Sequence, residues 1–169
     1  MSELQLDANK ENLFNAELRQ QIDVWVAKYP VGQAQSAVIP ALHILQDANG
    51  GWLSKPLMDA LAVYLDMPAI SVYEVATFYS MYELEPVGEN KISVCTNISC
   101  QLCGSDEIVA QLKTRLGIGF GETTEDGKVT LKEVECLGAC CGAPMLQLNR
   151  DYHENLTAEK IDSLLDGLS

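Results

Sequence analysis

Lys91-Ile-Ser-Val-Cys95-Thr-Asn-Ile-Ser-Cys100-Gln-Leu-Cys103-Gly104 and Val134-Glu-Cys136-Leu-Gly-Ala-Cys140-Cys141-Gly142 are the stretches on which the fold turns. They hold all six cysteines of the chain. Each cysteine segment follows a short apolar run with strand character. Ile92-Ser-Val94 leads straight into Cys95, and the alternating run from Val129 to Val134 stops just before Cys136. Where two such strands lie side by side, both cysteine segments emerge at one end of the sheet and four thiolates can converge. Gly104, Gly138 and Gly142 permit the close backbone approach that such a site needs.

Working outward, Ser105 reads as the cap of a helix with Asp106 and Glu107 in its first turn and Ile108, Leu112 and Leu116 on one face. Met145 to Leu148 is another strand, turning near Asn149-Arg150-Asp151 into a short one. Thr157 caps a last helix with Ile161, Leu164, Leu165 and Leu168 in a stripe. The order β-α-β-β-α is that of a small thioredoxin-like sheet with helices against it.

Upstream the pattern is helical. Leu18, Ile22, Trp25, Val26 and Tyr29 form one amphipathic stripe ending at Pro30. A second helix is predicted over 36–47, with Val38, Ile39, Leu42 and Leu45 facing inward and Pro40 in its first turns. A third starts near Ser54, with Pro56 in its first turn and Met58, Leu61, Ala62 and Leu65 inward. A fourth opens on a capping box, Ser71-Val-Tyr-Glu74, and carries Val75, Phe78, Tyr79 and Tyr82. The aromatic group Tyr73, Phe78, Tyr79 and Tyr82 reads as core. Pro86-Val-Gly88 marks a boundary. The predicted class is α+β: an N-terminal small helical bundle over 1–88, then a thioredoxin-like domain over 89–169.

The 169 residues carry 47% hydrophobic side chains and a formal net charge of −13, which argues against nucleic acid or anionic membrane as partner. No run of eighteen apolar residues exists, so direct membrane insertion is not expected. The acidic start lacks the features of a signal or transit peptide, and the expected setting is a reducing cytosol. There the six cysteines read as metal ligands or redox groups, not disulfides.

Thiolates held in glycine-bearing loops suit an iron–sulfur cluster, whose sulfurs also take backbone N–H donors. One set pairs C-x4-C with C-x3-C: Cys95, Cys100, Cys136 and Cys140. Its rival is the plant-type spacing Cys95, Cys100 and Cys103 plus one downstream cysteine. Structural zinc on Cys100, Cys103, Cys136 and Cys140, or a dithiol at Cys100 and Cys103, are the other readings. The downstream pair in its own loop favours two-plus-two ligation, leaving Cys103 and Cys141 as packed, buried thiols. Gly117-Ile-Gly119-Phe-Gly121 follows a helix and opens none, so it reads as a turn and not a nucleotide loop. His43 and His153 each stand alone, and no catalytic residue or substrate site is visible.

The sequence resembles the thioredoxin-like [2Fe–2S] subunit of NADH:quinone oxidoreductase, respiratory complex I. The resemblance runs from about Lys28-Tyr-Pro30 to the last helix. It rests on Ser36-Ala-Val-Ile-Pro40, Gly51-Trp-Leu53, Glu74-Val-Ala-Thr-Phe-Tyr79, Pro86-Val-Gly88, Cys95-Thr-Asn-Ile-Ser-Cys100 and Val134-Glu-Cys-Leu-Gly-Ala-Cys140 with Ala143-Pro144. It implies one [2Fe–2S] cluster on Cys95, Cys100, Cys136 and Cys140. It further implies a partner flavoprotein subunit carrying FMN and the NADH site, other hydrophilic-arm subunits, and a place on the cytoplasmic, peripheral arm of a bacterial inner-membrane complex. Related subunits of NAD-linked hydrogenases and formate dehydrogenases are the nearest alternatives.

Overall fold

A computed structural model of the chain describes residues 15–168, which fall into two compact units divided after Pro86. In the first, helix α1 (Ala16–Val26) is capped by Asn15, whose Oδ1 accepts from the Leu18 N–H at 2.9 Å. Ile22 is fully buried, but Trp25 and Tyr29, expected on the same stripe, are exposed. The helix stops at Val26, so Tyr29 leaves its face, and the Lys28 ammonium covers the outward Trp25 ring at 3.4 Å.

A 3-10 turn (Ala34–Ala37) leads into α2 (Val38–Ala48), with Pro40 in its first turn, where a missing N–H costs little. Val38, Ala41, Leu42 and Leu45 are buried, and Ile39 lies at their margin. Helix α3 (Lys55–Tyr64) has Pro56 in its first turn, and it buries Met58, Leu61 and Ala62, with Leu65 just beyond its end. The Gln46 amide, buried among these helices, is satisfied: Nε2 donates to Met81 O at 3.1 Å and Oε1 accepts from Glu83 N–H at 2.8 Å. Those two bonds pin the chain after the last helix onto α2.

Helix α4 (Ala69–Phe78) corrects two expectations. Pro68, not Ser71, occupies the cap position, and Ser71 lies inside the helix, where its N–H meets Pro68 O at 3.0 Å. Starting from Ala69, the inward residues are Val72 and Ala76, one turn apart. Phe78 stands two residues further round and is 80% exposed; Tyr79 is also exposed. Of the aromatic group only Tyr82 is buried, its hydroxyl donating to Ile39 O at 2.9 Å.

The second unit is a five-stranded sheet in the order β2-β3-β1-β4-β5, where β1 is Asn90–Cys95, β2 Glu122–Thr123, β3 Val129–Val134, β4 Leu146–Leu148 and β5 Asp151–His153. Strands β1 and β3 pair in parallel; the other pairings are antiparallel. A short helix α5 (Ile98–Leu102) precedes α6 (Ser105–Leu116), and α7 (Ala158–Asp166) closes the unit, its Thr157 cap accepting from Lys160 N–H. Ile108 and Leu112 from α6 and Ile161 and Leu165 from α7 pack with Ile92, Val94, Leu131 and Leu146 in one core. Because Ile92 and Val94 share strand parity, both helices lie on one face of the sheet. This is the expected α+β, thioredoxin-like arrangement. Helix α5 and the two-residue β2 went unread in the sequence, being too short for a periodic signal. No helix among the described residues is long and apolar enough to cross a membrane.

Gly88 lies at the entry to the sheet, its N–H donating to Thr130 Oγ1 at 2.7 Å. A Cβ there would sit 2.9 Å from both Gly127 O and Val129 N, so backbone would have to move. Gly88→Ala is therefore expected to cost about 1–3 kcal/mol, read as a lower urea midpoint. In the helical unit, Leu61→Ala should cost about 2–5 kcal/mol while Phe78→Ser changes stability by less than about 0.5 kcal/mol. Comparable losses for both variants would contradict the exposure of Phe78.

Candidate metal centre

The parallel register sets the site. Cys95, the last residue of β1, stands opposite Val134, the last residue of β3, so both cysteine segments leave the sheet at the same end. The alignment continues past the strands: Thr96 N–H donates to Val134 O at 3.1 Å, and Cys95 N–H to Met145 O at 3.3 Å. The Cys95 thiol points at Glu135 O, 3.7 Å away. The expectation of neighbouring strands and converging loops is met.

Cys100 is held by α5, which Asn97 caps by accepting from Ile98 N–H at 2.6 Å. This single turn packs one side inward and buries Cys100 against Cys95 and Met145. Its large apolar residues, Ile98 and Leu102, are strongly exposed. Burial pushes the Cys100 thiol up to about 11, reinforced by its hydrogen bond with Cys95 and by the charges of Cys95 and Cys140, against the lowering by a Met145 backbone hydrogen bond. Cys100 thus has a thiol from each cysteine segment among its electrostatic neighbours.

The second segment closes over this pair. Leu137, Ala139 and Ala143 pack on Cys95, Cys100 and Met145. Tyr152 OH donates to Leu137 O at 2.7 Å, tying the loop to β5. Gly138 turns at φ +75°, a conformation that favours glycine, and its N–H donates to Cys136 Sγ at 3.3 Å. Cys140 opens a 3-10 turn (Cys140–Gly142), and a cis peptide joins Ala143 to Pro144. Cys136 and Cys140 are exposed, whereas Cys95 and Cys100 are buried.

Cys103 and Cys141 differ from expectation: both are exposed instead of packed. Cys103 ends α5, and one turn of helix that buries Cys100 has no second inward position for it. Ser105 likewise is not the cap of α6. Gly104 takes that position at φ +94°, and Ser105 is the first helical residue.

Among the described residues no three His, Cys, Asp or Glu side chains are close enough to surround one metal ion. Single-ion zinc ligation needs such a group. A two-iron cluster spreads its four thiolates over two metals, so it asks for two thiolate pairs facing each other, with N–H donors to sulfur. The donor set suits that demand: buried Cys95 and Cys100, exposed Cys136 and Cys140 from the second segment with Cys140 among the charges acting on Cys100, and a glycine N–H already on the Cys136 sulfur.

Residues 22–169 match the sequence profile of the thioredoxin-like [2Fe–2S] ferredoxins, and the chain belongs to that family. It is 48% identical over 160 residues to the E subunit of the NADH-quinone oxidoreductase of Rickettsia bellii, covering 95% of this chain and 92% of that protein. It is 46% identical over 160 residues to the mitochondrial NADH dehydrogenase [ubiquinone] flavoprotein 2 of Dictyostelium discoideum, covering 95% of this chain and 62% of that one. Among solved structures, an NAD+-reducing [NiFe]-hydrogenase in the air-oxidized state shares the fold with a TM-score of 0.66 at 21% identity; the match covers 78% of this chain and 22% of the hydrogenase chain.

In the cluster-free chain, alkylation should separate the thiols. Cys103, Cys136, Cys140 and Cys141 are exposed and should react quickly, while Cys95 and Cys100 lag. Cys100 lags further because its raised pKa leaves less thiolate. Timed iodoacetamide labelling read by peptide mass checks this, and equal rates for Cys100 and Cys103 would contradict the geometry.

Proposed function

We propose that this chain is an electron-transfer subunit of an NADH:quinone oxidoreductase and that Cys95, Cys100, Cys136 and Cys140 hold its one [2Fe–2S] cluster. The observation that carries the reading is the parallel register, which delivers a C-x4-C and a C-x3-C segment to one sheet end. The near full-length similarity to the Rickettsia NADH-quinone oxidoreductase protein gives the reading its assembly. Residues 89–169 then form the cluster-bearing domain and residues 1–88 a helical domain of the same protein.

When bound, the cluster supplies one-electron reduction and oxidation. The chain's own residues do the rest. Cys95 and Cys100 offer thiolates from an apolar floor with Met145, which keeps water from one side. Gly138 N–H stabilises charge on Cys136 Sγ, and donors of this kind raise a cluster's potential. Nearby carboxylates, Glu133 among them with Oε1 accepting from Thr96 Oγ1 at 2.9 Å, act in the opposite direction.

In this reading the electron is exchanged with FMN in a partner flavoprotein that also binds NADH, within the hydrophilic-arm subunits on the cytoplasmic side of a bacterial inner membrane. The chain works as a non-autonomous part of the enzyme. Gly117-Ile-Gly119-Phe-Gly121 lies after α6 as a turn and leads into β2, which supports giving it no nucleotide role. The hydrogenase alternative has a shared fold at 21% identity behind it, against 46–48% for the NADH dehydrogenase relatives.

Anaerobic analysis of the purified chain tests the proposal. The expected result is about two irons and two sulfides per chain, and an EPR signal that appears only on reduction. Cys140→Ser should abolish the signal, while Cys103→Ser should keep it. One zinc without sulfide would falsify the reading, and loss of the cluster in Cys103→Ser alone would move ligation to the plant-type set.

A further inference from the structure

Ser105 is fully buried, and among the described residues its Oγ is the buried side-chain oxygen or nitrogen left without a hydrogen-bond partner in the protein. A buried hydroxyl with no partner costs about 1–3 kcal/mol. Alanine would occupy the position without that cost. A serine at a helix start ordinarily caps the helix, but Gly104 has taken that position in the left-handed conformation. The hydroxyl is therefore freed from the backbone and turned inward at a cost, which calls for an acceptor from outside the polypeptide.

Its place in the chain indicates which acceptor. Ser105 follows the first cysteine segment directly. The bonds from Cys103 N–H to Cys100 O at 3.1 Å and from Gly104 N–H to Gln101 O at 3.0 Å fold the end of α5 tightly into the start of α6. Cys100 is buried on that same short helix. Ser105 is also the first residue of a twelve-residue helix, whose N-terminal end favours negative charge. An iron–sulfur cluster on four thiolates is an anion, and it gains further negative charge on reduction.

We propose that the Ser105 hydroxyl donates a hydrogen bond to a sulfur of the cluster, a cysteinyl thiolate or a bridging sulfide, and thereby favours its reduced form. This rests on the ligation proposed above. Ser105 is then a tuning and positioning residue, not a ligand: its oxygen gives a proton to the bond and leaves the irons to the cysteines. The bond strengthens as charge builds on sulfur, so it raises the reduction potential.

The test uses the full-length chain carrying its cluster, with Ser105→Ala and Ser105→Gly, which remove the same hydroxyl but repack differently. Redox titration followed by EPR should show roughly tenfold weaker reduction in both, a midpoint about 59 mV lower for a one-electron couple. Iron and sulfide per chain should stay at the parent value. One exchangeable proton coupling in ENDOR spectra, identified by transfer to D2O, should disappear. In the cluster-free chain, Ser105→Ala should be at least as stable as the parent, since it removes an unpaired polar group. Unchanged potential and unchanged proton coupling in loaded variants would overturn the proposal and assign the hydroxyl to water. Failure of both variants to load, with the chain still folded, would also overturn tuning and assign Ser105 to assembly. A parent chain that holds no iron and sulfide is a different failure, that of the ligation itself.

Discussion

The parallel pairing of β1 with β3 is the constraint on which the rest of the cluster domain depends. A parallel pair cannot be closed by a tight turn, so the chain must cross over between the two strands. Helices α5 and α6 make that crossover and pack on the sheet through Ile108 and Leu112. The same geometry makes both strands point one way, and so both following segments leave at one end. In an antiparallel pair the segments after Cys95 and Val134 would emerge at opposite ends. The cysteines could not then meet.

Around that end the surroundings divide the four thiols into unlike pairs. Cys95 and Cys100 lie on an apolar floor, and burial there disfavours the Cys100 thiolate. In the proposed ligation, metal binding supplies the free energy of deprotonation at Cys100, which ties cluster assembly to proton release. Cys136 and Cys140 are exposed, in a loop whose shape is set by Gly138 and by the Tyr152 hydrogen bond to Leu137 O. In the proposed ligation, a buried pair and an exposed pair give an electron two different environments within one small centre. Local N–H donors and the acidity of the chain then act on the potential in opposite directions.

The helical unit is held by a separate logic. Its core is mostly aliphatic, with Leu42, Leu45, Leu53 and Leu61 fully buried, and the deeply placed Gln46 amide is bonded on both sides. Its aromatic residues lie mostly outside this core. Trp25 takes a lysine over its ring, and Phe78 and Tyr79 meet edge to face at 4.9 Å near the end of α4. Ring size alone is thus a poor guide to burial in this unit.

Much was legible in the residues because it rests on local chemistry. Leu61 and Leu65 fall one turn apart and are buried, Thr157 caps α7, and the runs before Cys95 and Cys136 are strands. Cysteine type and spacing allowed several ligand sets; the choice of Cys95, Cys100, Cys136 and Cys140 came from family resemblance. What the residues did not carry is what depends on neighbours distant in sequence. Whether Phe78 is core depends on where Pro68 starts the helix and on which side α3 lies. Whether Cys103 is buried depends on α5, a single turn with no periodic signal. That β1 and β3 are adjacent and parallel was a condition in the sequence and became a fact only in the sheet, since strand order is decided by which faces pack together. The cysteines and their loops were therefore written in the sequence by itself, but that both segments leave the sheet at one end was decided by the tertiary structure, because strand direction and adjacency are properties of the sheet and not of either strand.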